Sequence, residues 1–281
     1  MKSFHPKNIH KSGYDFELLM KNNRDLIPFV IEKFEKLTID FSNPKAVKHL
    51  NKALLSSYYN ITNWNFSDKN LCPPIPGRVD YIHYLADLIK GKNNVSVFDI
   101  GTGATCIYPI LGAAIYNWNF VASDINKDSL KIAQDNIYKN NLDNKIKLRY
   151  QEDASKILTG VIKNGEKFTL TMCNPPFYSS MSEATLVNKK KNKNLGVNLA
   201  RNFSGIKEEL CYKGGEKAFL HNYLYQSSLF SNSSFWFTSL VSRKENVKSM
   251  ELSSKKIGVK DFINIPMFHG NKVTRIVCWK F

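Results

Sequence analysis

The sequence lacks any apolar run approaching the roughly 18 residues that span a bilayer. Its opening residues, Met1-Lys2-Ser3-Phe4-His5-Pro6, hold no apolar stretch of the kind a secretory leader needs. A cytoplasmic chain with no membrane partner is the expectation. Cysteine is scarce. Cys72, Cys106, Cys173, Cys211 and Cys278 are odd in number, widely spaced and without a C-x-x-C pair. That argues against both a disulfide framework and a cysteine-based zinc site. The six histidines form no H-E-x-x-H or similar signature, so no metal is expected. There is no internal repeat and no long low-complexity tract. Acidic residues are outnumbered, 24 against 40 Lys and Arg, which leaves a formal charge of +16. A field of that sign attracts polyanions, and nucleic acid is the partner it favours, because each phosphate neutralised by Lys or Arg releases a counterion. A membrane surface would call for a long amphipathic helix with a basic face, and none is visible.

What is present is enough chain, 281 residues, for one large α/β unit and an appendage. Residues 1–90 read as a mostly helical, irregular and basic extension. Lys45 to Tyr59 carries apolar residues at helical spacing, with Asn43 placed to cap and Pro44 in the first turn. Leu71 to Gly77 holds three prolines and is expected to be extended or turning. Tyr81 to Lys90 reads as a helix stopped by Gly91. From residue 91 to 281 the pattern becomes strand–helix alternation. Val95–Ile100, Phe120–Ser123, Lys145–Tyr150, Phe168–Cys173 and Phe235–Val241 are the expected strands, and Phe262–Pro266 with Val273–Phe281 a closing antiparallel pair. A helix over Lys127–Asn140 lies between two of them. Such alternation predicts a mostly parallel, doubly wound α/β sheet, whose ligands sit beyond the C-terminal strand ends. Residues 178–216, with Lys189, Lys190, Lys191 and Lys193, interrupt the alternation as a long basic loop.

Three motifs fall at those strand ends. The first is Asp99-Ile100-Gly101-Thr102-Gly103-Ala104-Thr105, where glycines let backbone approach a ligand and a helix start offers free N–H groups. Cys106 stands where a dinucleotide-binding turn would have its third glycine, which weakens a pyrophosphate-binding reading. The second is Asp124, 23 residues after Gly101, placed either to accept from ribose hydroxyls or to cap the following helix. Together the two favour an adenosine-type cofactor. Asp153, after the third strand, is a candidate for its adenine edge or a plain surface residue. The third motif is Asn174-Pro175-Pro176-Phe177, directly after the fourth strand. Two prolines fix the turn and remove two N–H donors. Acceptors then face the site: the Asn174 side-chain oxygen and the Pro175 carbonyl can take both hydrogens of a planar amino group, and Phe177 offers a face for a base.

This combination resembles the amino-methyltransferases. With the flanking segments Leu50–Leu55, Leu71–Tyr84, Asp99–Tyr108, Cys173–Phe177 and Phe237–Ser242, the chain resembles the bacterial large-subunit (23S) rRNA adenine-N6 methyltransferases, relatives of the eukaryotic U6 snRNA adenine-N6 methyltransferases. The resemblance runs from Phe4-His5-Pro6 to Cys278-Trp279-Lys280-Phe281 and favours the bacterial type. It implies a Rossmann-like class I fold with a seven-stranded sheet, S-adenosyl-L-methionine as cofactor and a splayed-out rRNA adenosine, single-stranded or in a loop, as substrate. It implies cofactor contacts from Arg78, Asp99, Gly101, Gly103, Thr105, Asp124, Asp153 and Asn174, with Arg78 clamping the methionine carboxylate. Asn174, Pro175, Pro176 and Phe177 become the catalytic loop. Lys7, Lys11 and Lys21 with Lys189, Lys190, Lys191 and Lys193 would line an RNA groove, any single one being as readily a solvated surface lysine; Tyr178 and Trp64 are candidates to stack on bases, with the core the usual place for a Trp, and a monomer is expected. The alternatives are a protein glutamine-amide methyltransferase with a similar N-P-P loop, a non-catalytic RNA-binding assembly factor, and a Rossmann oxidoreductase.

Overall fold

A computed structural model of the chain describes residues 4–194, 205–269 and 272–281. Its centre is a sheet of seven strands: β3 (Ser96–Ile100), β4 (Asn119–Asp124), β5 (Ile146–Tyr150), β6 (Phe168–Cys173), β7 (Ser234–Val241), β8 (Asp261–His269) and β9 (Lys272–Lys280). Their order across the sheet is β5-β4-β3-β6-β7-β9-β8. The strands from β5 across to β7 are parallel, and β9 pairs antiparallel with both β7 and β8. The expected closing pair is therefore present, its first strand longer than the sequence pattern indicated and its second shifted by one residue. The strand order reverses between β3 and β6, and that switch is where a crevice opens at the C-terminal strand ends.

Alternate strand residues face opposite layers. Leu170, Trp236 and Leu240 pack toward one core and Cys173, Phe237 and Val241 toward the other. The first core is covered by α2 (Pro44–Tyr59), α3 (Ile75–Leu88), α4 (Ile107–Tyr116) and α5 (Lys127–Lys139), the second by α8 (Gly215–Leu229) and α9 (Lys244–Ser254). Leu54 and Leu55 of α2 are fully buried in it, so Leu54→Ala should cost about 2–5 kcal/mol. The boundary at residues 90/91 is not a packing boundary: Leu50, Leu54, Ile82 and Leu85 share one core with Ile110, Leu111 and Phe120.

Local chemistry explains most of the elements. Asn43 caps α2, its side chain accepting from Lys45 N and Ala46 N, and Asn126 caps α5 through Ser129 N. Helix α3 corrects the sequence reading. It begins at Ile75 and runs through Pro76, Gly77 and Arg78. Proline is tolerated in a first turn because its missing N–H has no intrahelical partner there. Residues 1–90 also hold an unforeseen hairpin, β1 (Val30–Lys33) with β2 (Lys36–Ile39), turned by Phe34 and Glu35 at positive φ of 52° and 57°. A short α1 (Phe16–Asn22) precedes it. The region foreseen as one long loop is instead partly helical, with α6 (Met181–Asn194) and α7 (Lys207–Leu210).

Candidate active site

A cavity opens at the C-terminal ends of β3, β4 and β6. Its volume is about 1040 Å³, solvent at the mouth included. The β3–α4 turn forms its floor. Gly101 and Gly103 have φ of 71° and 65°, and a Cβ on Gly101 would point into open space. Only glycine holds this backbone without strain. Gly101 N and Thr102 N both donate to Ser123 O at 2.9 Å, fastening the turn to the end of β4. Cys106, in place of a third glycine, nevertheless adopts a left-handed conformation (φ 46°) and accepts from Thr102 Oγ1. Thr105 also lines the cavity, and its carbonyl accepts from Trp64 Nε1 at 2.8 Å. Trp64 is only 3 % exposed, so it packs in the core and is not a base-stacking residue.

Two acidic residues are buried here. Asp124 accepts from Gly103 N through Oδ2 at 2.8 Å and from Asn126 N through Oδ1 at 2.9 Å. The helix cap is Asn126, which leaves Asp124 as a cavity residue. Burial pushes its carboxyl up to about 6, against the opposing pull of those two N–H donors. Asp99, only 1 % exposed, sits behind the turn, and burial pushes it up to about 7. Its Oδ2 has no hydrogen-bond partner.

The first turn of α3 brings Arg78 to the same cavity. Nη1 of Arg78 donates to Tyr108 Oη at 2.5 Å, and the guanidinium lies 5.3 Å from the Tyr108 ring centre. Its Nε is buried without a partner. A buried guanidinium N–H and a buried carboxylate oxygen, both unpaired in one crevice, are a costly arrangement for a free-standing core. They suit an amino acid moiety, whose carboxylate would pair with Arg78 and whose ammonium would pair with Asp99. The cofactor expected from sequence therefore fits the residues present.

The end of β6 completes the wall. Cys173, Asn174 and Pro176 line the cavity, while Pro175 is buried behind them. Among the described residues none is hydrogen-bonded to the Asn174 side chain. The loop is braced from one side: Phe177 N and Tyr178 N both donate to Leu210 O, at 3.1 and 3.0 Å, and Tyr212 N donates to Tyr178 O at 3.0 Å. The Phe177 ring is half-buried and stands edge-on to Tyr178, 6.4 Å between centres.

Of the residues singled out from sequence, Arg78, Gly101, Gly103, Thr105, Asp124, Asn174 and Pro176 meet at this cavity, and Asp99 lies directly behind it. Asp153 does not line it. Its carboxylate is turned onto Ser155, accepting from N and Oγ, while the neighbouring Gln151 and Ala154 form the wall. Lys7 is at the opposite end of the sheet, paired with Asp87 at 2.9 Å beside Tyr116 and Trp118. Lys11 donates to Pro6 O, and Lys21 closes the last turn of α1. The side chains of Lys189, Lys190, Lys191 and Lys193 lie outside the described residues, although their backbone belongs to α6. Tyr108, Gln151 and Glu209 line the cavity without having been foreseen. Tyr108 had one signal, its place on the first turn of the helix that follows the glycines. Gln151 holds its loop by donating to Lys156 O and Thr159 O.

Comparison with known proteins agrees with this geometry. A family model described as RNA methyltransferase matches residues 1–281. The ribosomal RNA large subunit methyltransferase F of Christiangramia forsetii is 46% identical over 284 residues, covering 99% of each chain. The catalytic domain of human METTL16, solved with the MAT2A 3'UTR hairpin 1, superposes with a TM-score of 0.90 at 26% identity, over 100% of this chain and 96% of that one. The N-terminal domain of human METTL16 solved with SAH superposes with a TM-score of 0.80 at 25% identity, over 100% and 99%. The match over the whole chain, together with a cavity at the strand ends beside an Asn-Pro-Pro-Phe loop, places this chain in the RNA methyltransferase family.

Proposed function

We propose that the chain transfers the methyl group of S-adenosyl-L-methionine to the exocyclic N6 of one adenosine in large-subunit rRNA. The observation that carries this is the placement of Asn174-Pro175-Pro176-Phe177. It leaves β6 at the rim of the cavity lined by Arg78, whose Nε is unpaired, and backed by Asp99, whose Oδ2 is unpaired, with the Asn174 amide unengaged. The cofactor supplies an electrophilic methyl group, and the residues of the chain bind and orient. Arg78 would hold the methionine carboxylate, and Asp99 the ammonium. Asp124 has both oxygens in hydrogen bonds, yet a carboxylate has about four lone-pair sites, so it can still accept from ribose hydroxyls. The Asn174 oxygen and the Pro175 carbonyl would accept the two amino hydrogens of adenine, which turns the nitrogen lone pair toward the methyl group. Phe177 offers its ring to the base. Catalysis is then chiefly positioning. No strong general base is required, because the amine sheds its proton after alkylation.

An adenine inside a duplex cannot reach this rim, so the substrate adenosine is single-stranded, looped or flipped out. The formal charge of +16 supports a polyanionic substrate, and the lysines of α6, which follow the Asn174–Phe177 loop in sequence, are candidates for phosphate contacts. Lys7 and Lys11 would touch RNA only away from it. No described helix is long and apolar enough to cross a membrane. No group of three His, Cys, Asp or Glu among the described residues could hold a metal ion, and none is invoked.

The test is Asn174→Ala, assayed on unmodified large-subunit rRNA with calorimetry of S-adenosylhomocysteine alongside. Methyl transfer should fall by about two orders of magnitude or more, with affinity for the cofactor product within about threefold, less than one neutral hydrogen bond. A parallel loss of affinity would show that Asn174 serves the cofactor and not the amine.

A further inference from the structure

The segment that follows α6 returns to the cavity as α7, and one side chain of α7 reaches across the mouth. Oε1 of Glu209 accepts from Asn70 Nδ2 at 3.0 Å, and Oε2 accepts from Leu71 N at 2.9 Å. These partners lie 139 and 138 residues away in the N-terminal extension. The same Oε2 accepts from Ile206 N at 3.1 Å, which holds the carboxylate in place on its own turn. Glu209 and Leu71 are both cavity residues, brought together from distant parts of the chain. A Cβ on Gly103 would lie 3.7 Å from Glu209 Oε1, so the carboxylate stands over the floor of the cavity as well as its rim.

The next residue makes the connection to chemistry. The carbonyl of Leu210 receives both Phe177 N and Tyr178 N, the two N–H groups that follow the paired prolines. Those prolines have no N–H of their own, so this carbonyl is the first backbone anchor available to the loop beyond β6. Asn174-Pro175-Pro176-Phe177 is thus registered against α7, and α7 is registered against Asn70 and Leu71 by Glu209. A carboxylate receiving three N–H groups is a strong joint, since hydrogen bonds to a charged acceptor exceed neutral ones.

We propose that Glu209 is a positioning residue, a clasp that joins the substrate-side insert to the N-terminal extension over the cofactor cavity and sets the register of the Asn174–Phe177 loop through Leu210. The clasp must open for cofactor exchange and close for transfer. It rests on the reading of the cavity as a cofactor site. Binding of S-adenosylhomocysteine by the unaltered chain tests that reading separately.

The clasp is tested by a swap. Asn70→Asp places a carboxylate against the Glu209 carboxylate and should open the joint. S-adenosylhomocysteine should then dissociate about tenfold faster, the equivalent of one charge-assisted hydrogen bond, with kcat reduced by a similar factor. Adding Glu209→Gln to that variant gives the new carboxylate an amide N–H to accept and leaves the Gln oxygen for Leu71 N and Ile206 N. The double variant should return both quantities to within about threefold of the original, less than one neutral hydrogen bond. A residue that merely stabilised the insert would lower Tm without this reciprocal rescue. The proposal is overturned if Asn70→Asp leaves dissociation and kcat unchanged, or if the double variant is no better than the single. Should Asn70→Asp fail to fold, hydrogen exchange on the unaltered chain decides. Leu71 N and Ile206 N should both gain protection when S-adenosylhomocysteine binds, and no gain at either would overturn the clasp.

Discussion

Helix α3 has two polar ends that look alike in sequence and differ in state. At its first turn Arg78 faces the cavity with Nε unpaired, across from Asp99 with Oδ2 unpaired. At its last turns His83 bonds Tyr116 Oη at 2.8 Å, and Asp87 takes both His5 Nε2 and Lys7 Nζ at 2.9 Å. His5 and His83 also stack, 5.3 Å between ring centres. One end is complete without help, and its charges hold the N-terminal residues to the fold. The other carries one buried guanidinium N–H and one buried carboxylate oxygen without a hydrogen-bond partner, and a zwitterionic ligand would match both. The lesson is that buried polar groups announce packing when their partners are there, and announce a site when two of opposite charge, each with an unpaired atom, meet at a cavity.

The sharpest way to break this comparison is to remove the unmatched cation. Arg78→Ala should weaken S-adenosylhomocysteine binding by about a hundredfold, within the range for truncating one partner of a buried charge pair, and calorimetry reads it directly. If affinity holds, Arg78 is as structural as His83.

Titration separates the two ends by sign. Burial raises Asp99 to about 7 and Asp124 to about 6 from 3.8. The folded chain binds more protons there than the unfolded chain, so this contribution to stability is lost as pH rises from about 4 to 7. Burial lowers His10 and His83 from 6.5 to about 4. Their contribution is present above about 6.5 and lost as pH falls through about 4. Only the cavity end meets the ligand. Because an ammonium pairs with ionised Asp99, affinity for S-adenosylhomocysteine should rise about tenfold between pH 5.5 and 8. An affinity independent of pH, or one that falls, would remove Asp99 from the cofactor site.

Tyr108→Phe makes a smaller change. It deletes the acceptor that orients Arg78 while keeping the ring beneath the guanidinium, and it should cost about three- to tenfold in affinity at unchanged Tm. At the complete end, Asp87→Asn weakens a half-exposed pair and should move Tm by no more than about 2 °C, with cofactor affinity untouched. A change in affinity there would mean that the two ends of α3 are coupled.

These contrasts also show what a sequence can disclose. The glycine turn, Asp124 and the Asn174–Phe177 loop were legible because each motif is contiguous and falls at a strand end whose apolar pattern is unmistakable. The start of α3 was not, because Pro73, Pro74 and Pro76 read as breakers although the first turn tolerates proline. The β1–β2 hairpin was missed because Phe34-Glu35 replaces the usual Asn-Gly type of turn signal. Tyr108 and Glu209 act through partners 30 and 139 residues distant, a relation no local pattern carries. Asp153, after the third strand, had two readings, and its carboxylate is bonded to Ser155 outside the cavity lining, as a surface residue would be.

The account as a whole is tested by incubating the unaltered protein with radiolabelled S-adenosylmethionine and unmodified large-subunit rRNA, then digesting the RNA and separating its nucleosides. It predicts label in N6-methyladenosine and in no other nucleoside. Label confined to protein, as a methylated glutamine amide, would contradict it and turn the same loop and cavity toward a peptide substrate.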